Sequence, residues 1–321
     1  MTAPWLPLAA AILAVPAYAT GERAQDPPPP TFRSSVEVVS VSAVVKDRKG
    51  RFVHDLQARD FIVAEGGVER RILDFRAETD GPVTLGLLVD ASGSMRVGGK
   101  AVDAEAAARH LFSALRPADE AALFSFDTQL DRVTDFTSDI ASVEQALERL
   151  NRPFGQTSLY DAIGQAAEVI AARARKGGAL PQRTALVVLT DGIDTRSRST
   201  TGEVTAAASR IDVPVYIVAV MAGVDDPRVY GNPAFDVSGL EQLARGTGGE
   251  MFIATAPAHA SVAARQIVEE LRHQYVLAFE ASNRGGWRPV DVRARNGRFT
   301  VRARTGYSAG GDRPVPGHRP A

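Results

Sequence analysis

The chain has 321 residues, enough for about two domains, and 45% of them are hydrophobic, which suffices for buried cores. Its 37 basic and 38 acidic residues leave a formal net charge of −1, so no global field favours a nucleic acid or an acidic polymer. The chain has no cysteine, which excludes disulfides, thiolate zinc sites, catalytic thiols and lipid attachment to an N-terminal cysteine.

The N-terminal residues have the pattern of an export signal. Residues 3–19 carry no charge and end in Ala17-Tyr18-Ala19, a small-x-small pattern typical of a signal peptidase site, although no Lys or Arg precedes the apolar stretch. We expect residues 1–19 to be cleaved and the mature protein to be periplasmic or secreted, with no integral membrane segment left. The alternative is an uncleaved anchor or a disordered tail. Residues 20–33, which are rich in proline, predict an extended linker.

Residues 34–78 predict a small β segment. The β-branched run at 38–45 indicates a strand, and residues 47–50 indicate a turn. The pair Gly66-Gly67 predicts a hairpin between strands at 61–63 and 71–73.

From residue 84 the pattern changes to alternating strands and helices. Apolar runs predict strands at 85–90, 122–126, 184–189, 215–220 and 250–253, with a short antiparallel edge strand at 129–133. Helices are expected at about 102–115, 143–150 (capped by Ser138), 157–170, 204–211, 240–245 and 262–271. This alternation predicts an α/β fold over 81–272: a doubly wound, mainly parallel sheet with helices on both faces.

The β pattern returns after residue 273. A strand is expected at 274–279, and Asn296-Gly297 predicts a hairpin between 290–295 and 298–304. With Arg295 opposite Arg298, Val292 and Val301 share an apolar face. The opposite face would then carry five arginines: Arg293, Arg295, Arg298, Arg302 and Arg304. That face is either a solvated sheet surface or a contact for an anionic envelope glycan.

An isolated hairpin is marginally stable, so its apolar face needs a cover. We expect 274–307 to pack with 34–78 as one β-sandwich in which the α/β domain is inserted. Residues 308–321 are rich in glycine and proline and predict a disordered tail.

Oxygen-bearing side chains follow the strands of the predicted sheet. The buried strand at 85–89 ends in Asp90-Ala91-Ser92-Gly93-Ser94, at the edge where open α/β sheets bind their ligands. Thr157 lies at the start of the helix expected at 157–170, and Asp191 follows the strand expected at 184–189. A set of oxygens without nitrogen or sulfur favours a hard divalent cation, Mg²⁺ first. The alternative is that Asp90 and Ser92 cap the next helix and Asp191 opens a turn.

The order Asp-x-Ser-x-Ser, Thr, then Asp-Gly after a strand resembles the metal-ion-dependent adhesion site of von Willebrand factor A domains, over about 81–272. The resemblance implies that the hydroxyls of Ser92, Ser94 and Thr157 touch the metal, with Asp90 and Asp191 binding directly or through water. The flanking segments, including 271–275 and 304–307, resemble those of exported bacterial von Willebrand factor A-related proteins. This second resemblance covers about 34–307 and is less specific than that of the metal motif.

The expected function is a non-enzymatic, adhesion-type protein-binding module. Magnesium usually keeps several waters in protein sites, and a partner's Asp or Glu carboxylate can replace one of them. Mn²⁺ or Ca²⁺ are alternative ions. Two other functions stay open: a structural component of a cell-envelope assembly with a stabilising metal, and a metal-dependent hydrolase. No residue is identified as the general base that a hydrolase would need. The five histidines have no metal-ligand spacing, and the sequence has no nucleophile elbow.

Overall fold

The computed structural model describes residues 38–77, 81–150, 154–176, 183–210, 213–221, 237–282 and 285–309. The predicted signal peptide and linker lie outside these residues. Of the predicted tail, Ser308 and Ala309 instead belong to the last strand, and the remainder lies outside the described part. No helix in the described ranges is long and apolar enough to cross a membrane.

The described residues form fourteen strands and six α-helices, numbered along the chain. The strands are β1 (Val38–Lys46), β2 (Phe61–Glu65), β3 (Val68–Arg70), β4 (Ile72–Ala77), β5 (Val83–Asp90), β6 (Glu120–Phe126), β7 (Leu130–Arg132), β8 (Arg183–Thr190), β9 (Val215–Val220), β10 (Met251–Ala254), β11 (Gln274–Glu280), β12 (Gly286–Ala294), β13 (Thr300–Ala303) and β14 (Gly306–Ala309). The helices are α1 (Lys100–Ser113), α2 (Ile140–Glu148), α3 (Leu159–Lys176), α4 (Thr201–Arg210), α5 (Val237–Thr247) and α6 (Pro257–Arg272).

The central sheet has the order β10-β9-β8-β5-β6-β7, and only its edge strand β7 is antiparallel to its neighbour. Strands β5, β8 and β9 are buried along their whole length, which explains their unbroken apolar sequences. One face of the sheet packs on α1, α2 and α6, and the other packs on α3, α4 and α5. The fold is therefore the predicted doubly wound, mainly parallel α/β architecture.

Both chain ends build the β-sandwich. One of its sheets has the order β13-β1-β11-β4 and the other β14-β12-β2-β3. Strands β1 and β11 pair antiparallel, with Val41 opposite Leu277, so a strand before the α/β domain lies beside a strand after it. Phe61 and Val292, from the second sheet, join the same buried core. The α/β domain is thus inserted in the sandwich.

The two predicted hairpins have different outcomes. Gly66-Gly67 does join a hairpin, but its second strand is β3, since β4 crosses to the other sheet and pairs with β11. The hairpin at Asn296-Gly297 is wrong, because β12 pairs with β2 and β14 while β13 pairs with β1. Val292 and Val301 face the same core from opposite sheets. Alternating apolar residues do not distinguish that arrangement from pairing within one sheet.

The predicted face of five arginines is also wrong, because the chain crosses between the sheets at this turn. Arg293, Arg295 and Arg298 are exposed. Arg302 instead pairs with Glu250 and Glu270 of the α/β domain. The buried Arg304 donates hydrogen bonds to the backbone carbonyl oxygens of residues 209 and 40.

One helix start also differs from the prediction. Asp139, not Ser138, caps α2, and its carboxylate accepts a hydrogen bond from the Ser142 backbone N–H at 3.2 Å. The two residues are adjacent and both are good caps, so the sequence did not separate them.

Candidate metal site

The two aspartates of the predicted site stand side by side at the carboxyl edge of the central sheet. Strands β5 and β8 are parallel neighbours, paired up to Val89 and Leu189. Asp90 is the last residue of β5, and Asp191 directly follows β8. Both are only 2% exposed. The parallel register therefore brings two carboxylates together in a buried place.

A chain of hydrogen bonds links Asp90 to the two motif serines. Asp90 Oδ1 accepts from the Ser92 N–H at 2.9 Å, and the hydroxyls of Ser92 and Ser94 lie 3.1 Å apart. Asp90 Oδ2 accepts from the Thr190 hydroxyl at 2.6 Å, and Thr190 Oγ1 in turn accepts from the Gly192 N–H at 3.0 Å. The carboxylate is thereby fixed in orientation between the ends of β5 and β8.

The loop that carries Thr157 is joined to the serine loop by backbone hydrogen bonds. The Phe154 N–H donates to the Ala91 carbonyl at 2.9 Å, and the Gly93 N–H donates to the Gly155 carbonyl at 3.0 Å. A Cβ at Gly93 would lie 3.0 Å from that Gly155 oxygen, so the close approach of the loops favours glycine here. These bonds bring Thr157 to the same edge as the serines.

The segment after Asp191 holds Thr157 from the other side. The Thr157 N–H donates to Thr195 Oγ1 at 2.9 Å, and the Thr195 N–H donates back to the Thr157 carbonyl at 3.0 Å. Asp194 Oδ1 accepts from the Leu159 N–H at 2.8 Å and from the Ser197 hydroxyl at 2.6 Å. The negative charge of Asp194 also interacts favourably with the positive, N-terminal end of the α3 dipole.

Asp191 already has a cationic partner within the protein. Lys100 Nζ donates to Asp191 Oδ2 at 2.9 Å, and the two side chains are 5% and 1% exposed. The Ile193 N–H donates to Asp191 Oδ1 at 3.3 Å. Lys100 is the first residue of α1, directly after Gly99 with φ of 80°. A cation at a helix N-terminus is opposed by the helix dipole, so this placement depends on the carboxylate.

The charge of Asp90 is less well compensated than that of Asp191. Burial raises the pKa of Asp90 to about 6, and the neighbouring charge of Asp191 acts in the same direction. The hydrogen bonds from Ser92 and Thr190 oppose this shift of the pKa but do not cancel it. A cation bound here would remove the cost of keeping Asp90 charged.

The donors fit a hard divalent ion. The structure brings all five predicted residues to one edge: Asp90, Ser92, Ser94, Thr157 and Asp191. Their oxygens are those that Mg²⁺ and Ca²⁺ prefer. Within the described ranges, no group of three or more His, Cys, Asp or Glu residues could hold a metal.

One family model matches part of the chain. Residues 85–193 match the von Willebrand factor type A domain. The match spans about a third of the chain and includes Asp90, both motif serines, Thr157 and Asp191. A search of curated proteins finds no match.

Several solved structures are similar to this chain at low identity. An aerotolerance-related membrane protein from Bacteroides fragilis is 18% identical, with 59% of this chain and 99% of that chain covered and a TM-score of 0.45. The hypothetical protein BatB from Bacteroides thetaiotaomicron is 19% identical, with 59% and 98% covered and a TM-score of 0.46. A von Willebrand factor type A protein from Catenulispora acidiphila is 13% identical, with 87% and 76% covered and a TM-score of 0.48. Likenesses at this level say nothing of what this chain binds.

Two residues of the matched segment 85–193 contact the aspartates and were not predicted from the sequence. Thr190, which binds Asp90, is the last residue of a buried strand and had no signal apart from its place beside Asp191. Lys100 had a weak signal, because a lysine in the first turn of a helix opposes the dipole and needs a reason. Only the fold shows that the reason is Asp191.

Proposed function

We propose that this chain is an exported, non-enzymatic protein-binding module of the adhesion type, in which a divalent cation joins it to a partner protein. The ion is Mg²⁺ by preference, with Mn²⁺ or Ca²⁺ as alternatives. Hydroxyls from Ser92, Ser94 and Thr157 would contact it, while Asp90 and Asp191 act directly or through water. The partner would supply an Asp or Glu carboxylate. Export rests on the predicted signal peptide at residues 1–19.

The observation that carries the proposal is the balance of charge at the sheet edge. Among the residues that the structure describes, the buried carboxylates of Asp90 and Asp191 lie there with the ammonium group of Lys100, and burial raises the pKa of Asp90 to about 6. A divalent cation would supply the missing positive charge. Because the remaining ligands are neutral hydroxyls, the ion would keep enough charge to attract a further carboxylate.

Exposed apolar side chains beside the site support a protein partner. Phe154, whose backbone binds the Ala91 carbonyl, is 75% exposed, and Val97, three residues after Ser94, is 58% exposed. Ser94 itself is half-buried, so the serine loop reaches the surface. Exposed apolar side chains that border polar groups are typical of protein-binding surfaces.

Calorimetric titration with Mg²⁺ and Mn²⁺ tests the metal site. We expect the wild-type chain to bind one ion and Asp90→Ala to lose this binding. Asp131→Ala is the matched control, since Asp131 is an exposed carboxylate on the edge strand β7 and its loss should change nothing. An equal response from wild type and Asp90→Ala would contradict the proposal.

Capture of partners from an envelope extract, with and without a chelator, tests the bridging role. Partners that are released by the chelator and are not captured by Asp90→Ala support the proposal. Partners that stay bound in chelator would favour the structural component of an envelope assembly instead. Turnover of a phosphoester, ester or peptide substrate that disappears in Asp90→Ala would show a metal-dependent hydrolase.

A further inference from the structure

The sheet edge contains a cation that the predicted ligand set does not include. Lys100 Nζ lies 2.9 Å from Asp191 Oδ2, inside the protein, on the first residue of α1. We propose that Lys100 competes with the divalent cation for Asp191 and thereby sets the affinity of the metal site. This inference rests on the proposed metal site.

The helix dipole and burial both disfavour a charged lysine at position 100. The positive end of the α1 dipole opposes an ammonium group there, and burial removes its water. The chain enters the helix through Gly98 and Gly99, both with positive φ of 66° and 80°. The pair with Asp191 helps to offset these costs, and the two side chains hold each other in place.

The same pair occupies the carboxylate that the ion would use. With Lys100 bound to Oδ2 and the Ile193 N–H bound to Oδ1, each oxygen of Asp191 already accepts a hydrogen bond, which leaves fewer lone pairs for an ion or for a water on that ion. The ammonium and the divalent cation also repel each other strongly at this edge, because little water screens them. Binding of the divalent cation would therefore displace Lys100 from Asp191.

The consequence is a site whose affinity is lower than its oxygen ligands alone would give. Occupancy would then depend on the concentration of free divalent cation, and capture of a carboxylate partner, which adds negative charge, would favour the bound ion. Lys100 is in this sense a positioning residue for Asp191 and not a ligand of the metal.

Calorimetric titration of Mg²⁺ into the full chain and into Lys100→Met tests this role, with Lys49→Met as the matched control on an exposed turn. We expect Lys100→Met to bind Mg²⁺ at least tenfold more tightly than wild type and Lys49→Met to be unchanged. The gain should shrink when Asp191→Asn is also present, because the shared carboxylate is then gone. Equal or weaker binding by Lys100→Met, with wild-type binding intact, would overturn the inference.

A second measurement uses the wild-type chain in case Lys100→Met does not fold. Acetylation of Lys100, followed by mass spectrometry, should increase severalfold when Mg²⁺ is added, while acetylation of Lys49 stays constant. An unchanged rate at Lys100 would contradict competition for Asp191. Failure of the proposed function is distinguishable, since it would appear as no Mg²⁺ binding by wild type and by Lys100→Met alike.

Discussion

Two buried groups of charges in this chain have opposite balances. At the sheet edge, the Lys100 ammonium group pairs with Asp191, and burial raises the pKa of the neighbouring Asp90 to about 6. At the junction between the α/β domain and the sandwich, Glu270 is also buried, yet its pKa is lowered. Burial again acts to raise it, but the charge of Arg302 and the Lys46 hydrogen bond outweigh burial.

The difference lies in the number of cations that face each carboxylate. Glu270 pairs with both Lys46 and Arg302, and Arg302 also pairs with Glu250. Among the described residues, two cations thus face two carboxylates at the junction, whereas at the sheet edge one cation pairs with Asp191 and none pairs with Asp90. A balanced group holds the fold together. An unbalanced group is suited to take up a further cation, which distinguishes the candidate site from a structural ion pair.

Removal of residues 274–321 should have the largest effect. The chain would lose β11 to β14 and expose the sandwich core around Val41 and Phe61. Because burial of apolar surface contributes about 25 cal/mol per Å², we expect a destabilised chain that aggregates. Residues 81–272, which keep their own sheet and helices, should be soluble and should melt cooperatively. A truncated chain lacking only 274–321 that melts like the full chain would contradict the shared sandwich.

Removal of one cation from the balanced group at the junction should cause the next largest loss in the free energy of unfolding. Arg302→Met leaves the fully buried Glu270 with Lys46 and the neutral Gln266 as partners, and loss of one partner from a buried ion pair costs about 3 kcal/mol. Urea unfolding of this variant measures the loss. Arg293→Met, on the exposed face of β12, is the control and should change the free energy of unfolding by less than about 0.5 kcal/mol. Similar losses from both variants would mean that the junction pair is not structural.

Another buried carboxylate, that of Glu65, should make the stability of the fold depend on pH. Burial acts to raise the pKa of Glu65, but hydrogen bonds from Tyr307 and Arg288 outweigh it and hold the pKa to about 2, below the ordinary 4.5. The charged form is therefore favoured in the folded state. Its contribution is present above pH 4.5 and is lost as the pH falls from about 4.5 towards about 2. Melting temperatures over this window should fall more steeply for wild type than for Glu65→Gln; equal slopes would contradict this assignment.

The smallest effect on stability is expected at Phe154. Since this ring is 75% exposed, Phe154→Ala should change the free energy of unfolding by less than about 0.5 kcal/mol and leave Mg²⁺ affinity unchanged. The amount of chelator-sensitive partner captured from an envelope extract should nevertheless fall. Phe126→Ala is the contrast, because Phe126 is fully buried and its loss should cost about 3 kcal/mol. Undiminished capture by Phe154→Ala would remove Phe154 from the proposed surface.

The parts of this fold that the sequence predicted are those with a local signal. The unbroken apolar runs of β5, β8 and β9 predicted a covered parallel sheet, and its carboxyl edge then predicted where Asp90 and Asp191 would meet. The parts that it missed depend on distant contacts. Asn296-Gly297 has the local chemistry of a hairpin, but the sandwich places the strands on either side of it in different sheets. The partner of Lys100 is 91 residues away.

The most direct test of the account compares melting of wild type and Asp90→Asn as Mg²⁺ is added. An ion that binds only the folded state stabilises it by about 2.7 kcal/mol at a concentration a hundred times its Kd. We expect the melting temperature of wild type to rise with Mg²⁺, and that of Asp90→Asn, which lacks the under-compensated charge, to stay constant. An equal rise in the melting temperatures of both proteins, or no rise in either, would contradict a metal site at this sheet edge.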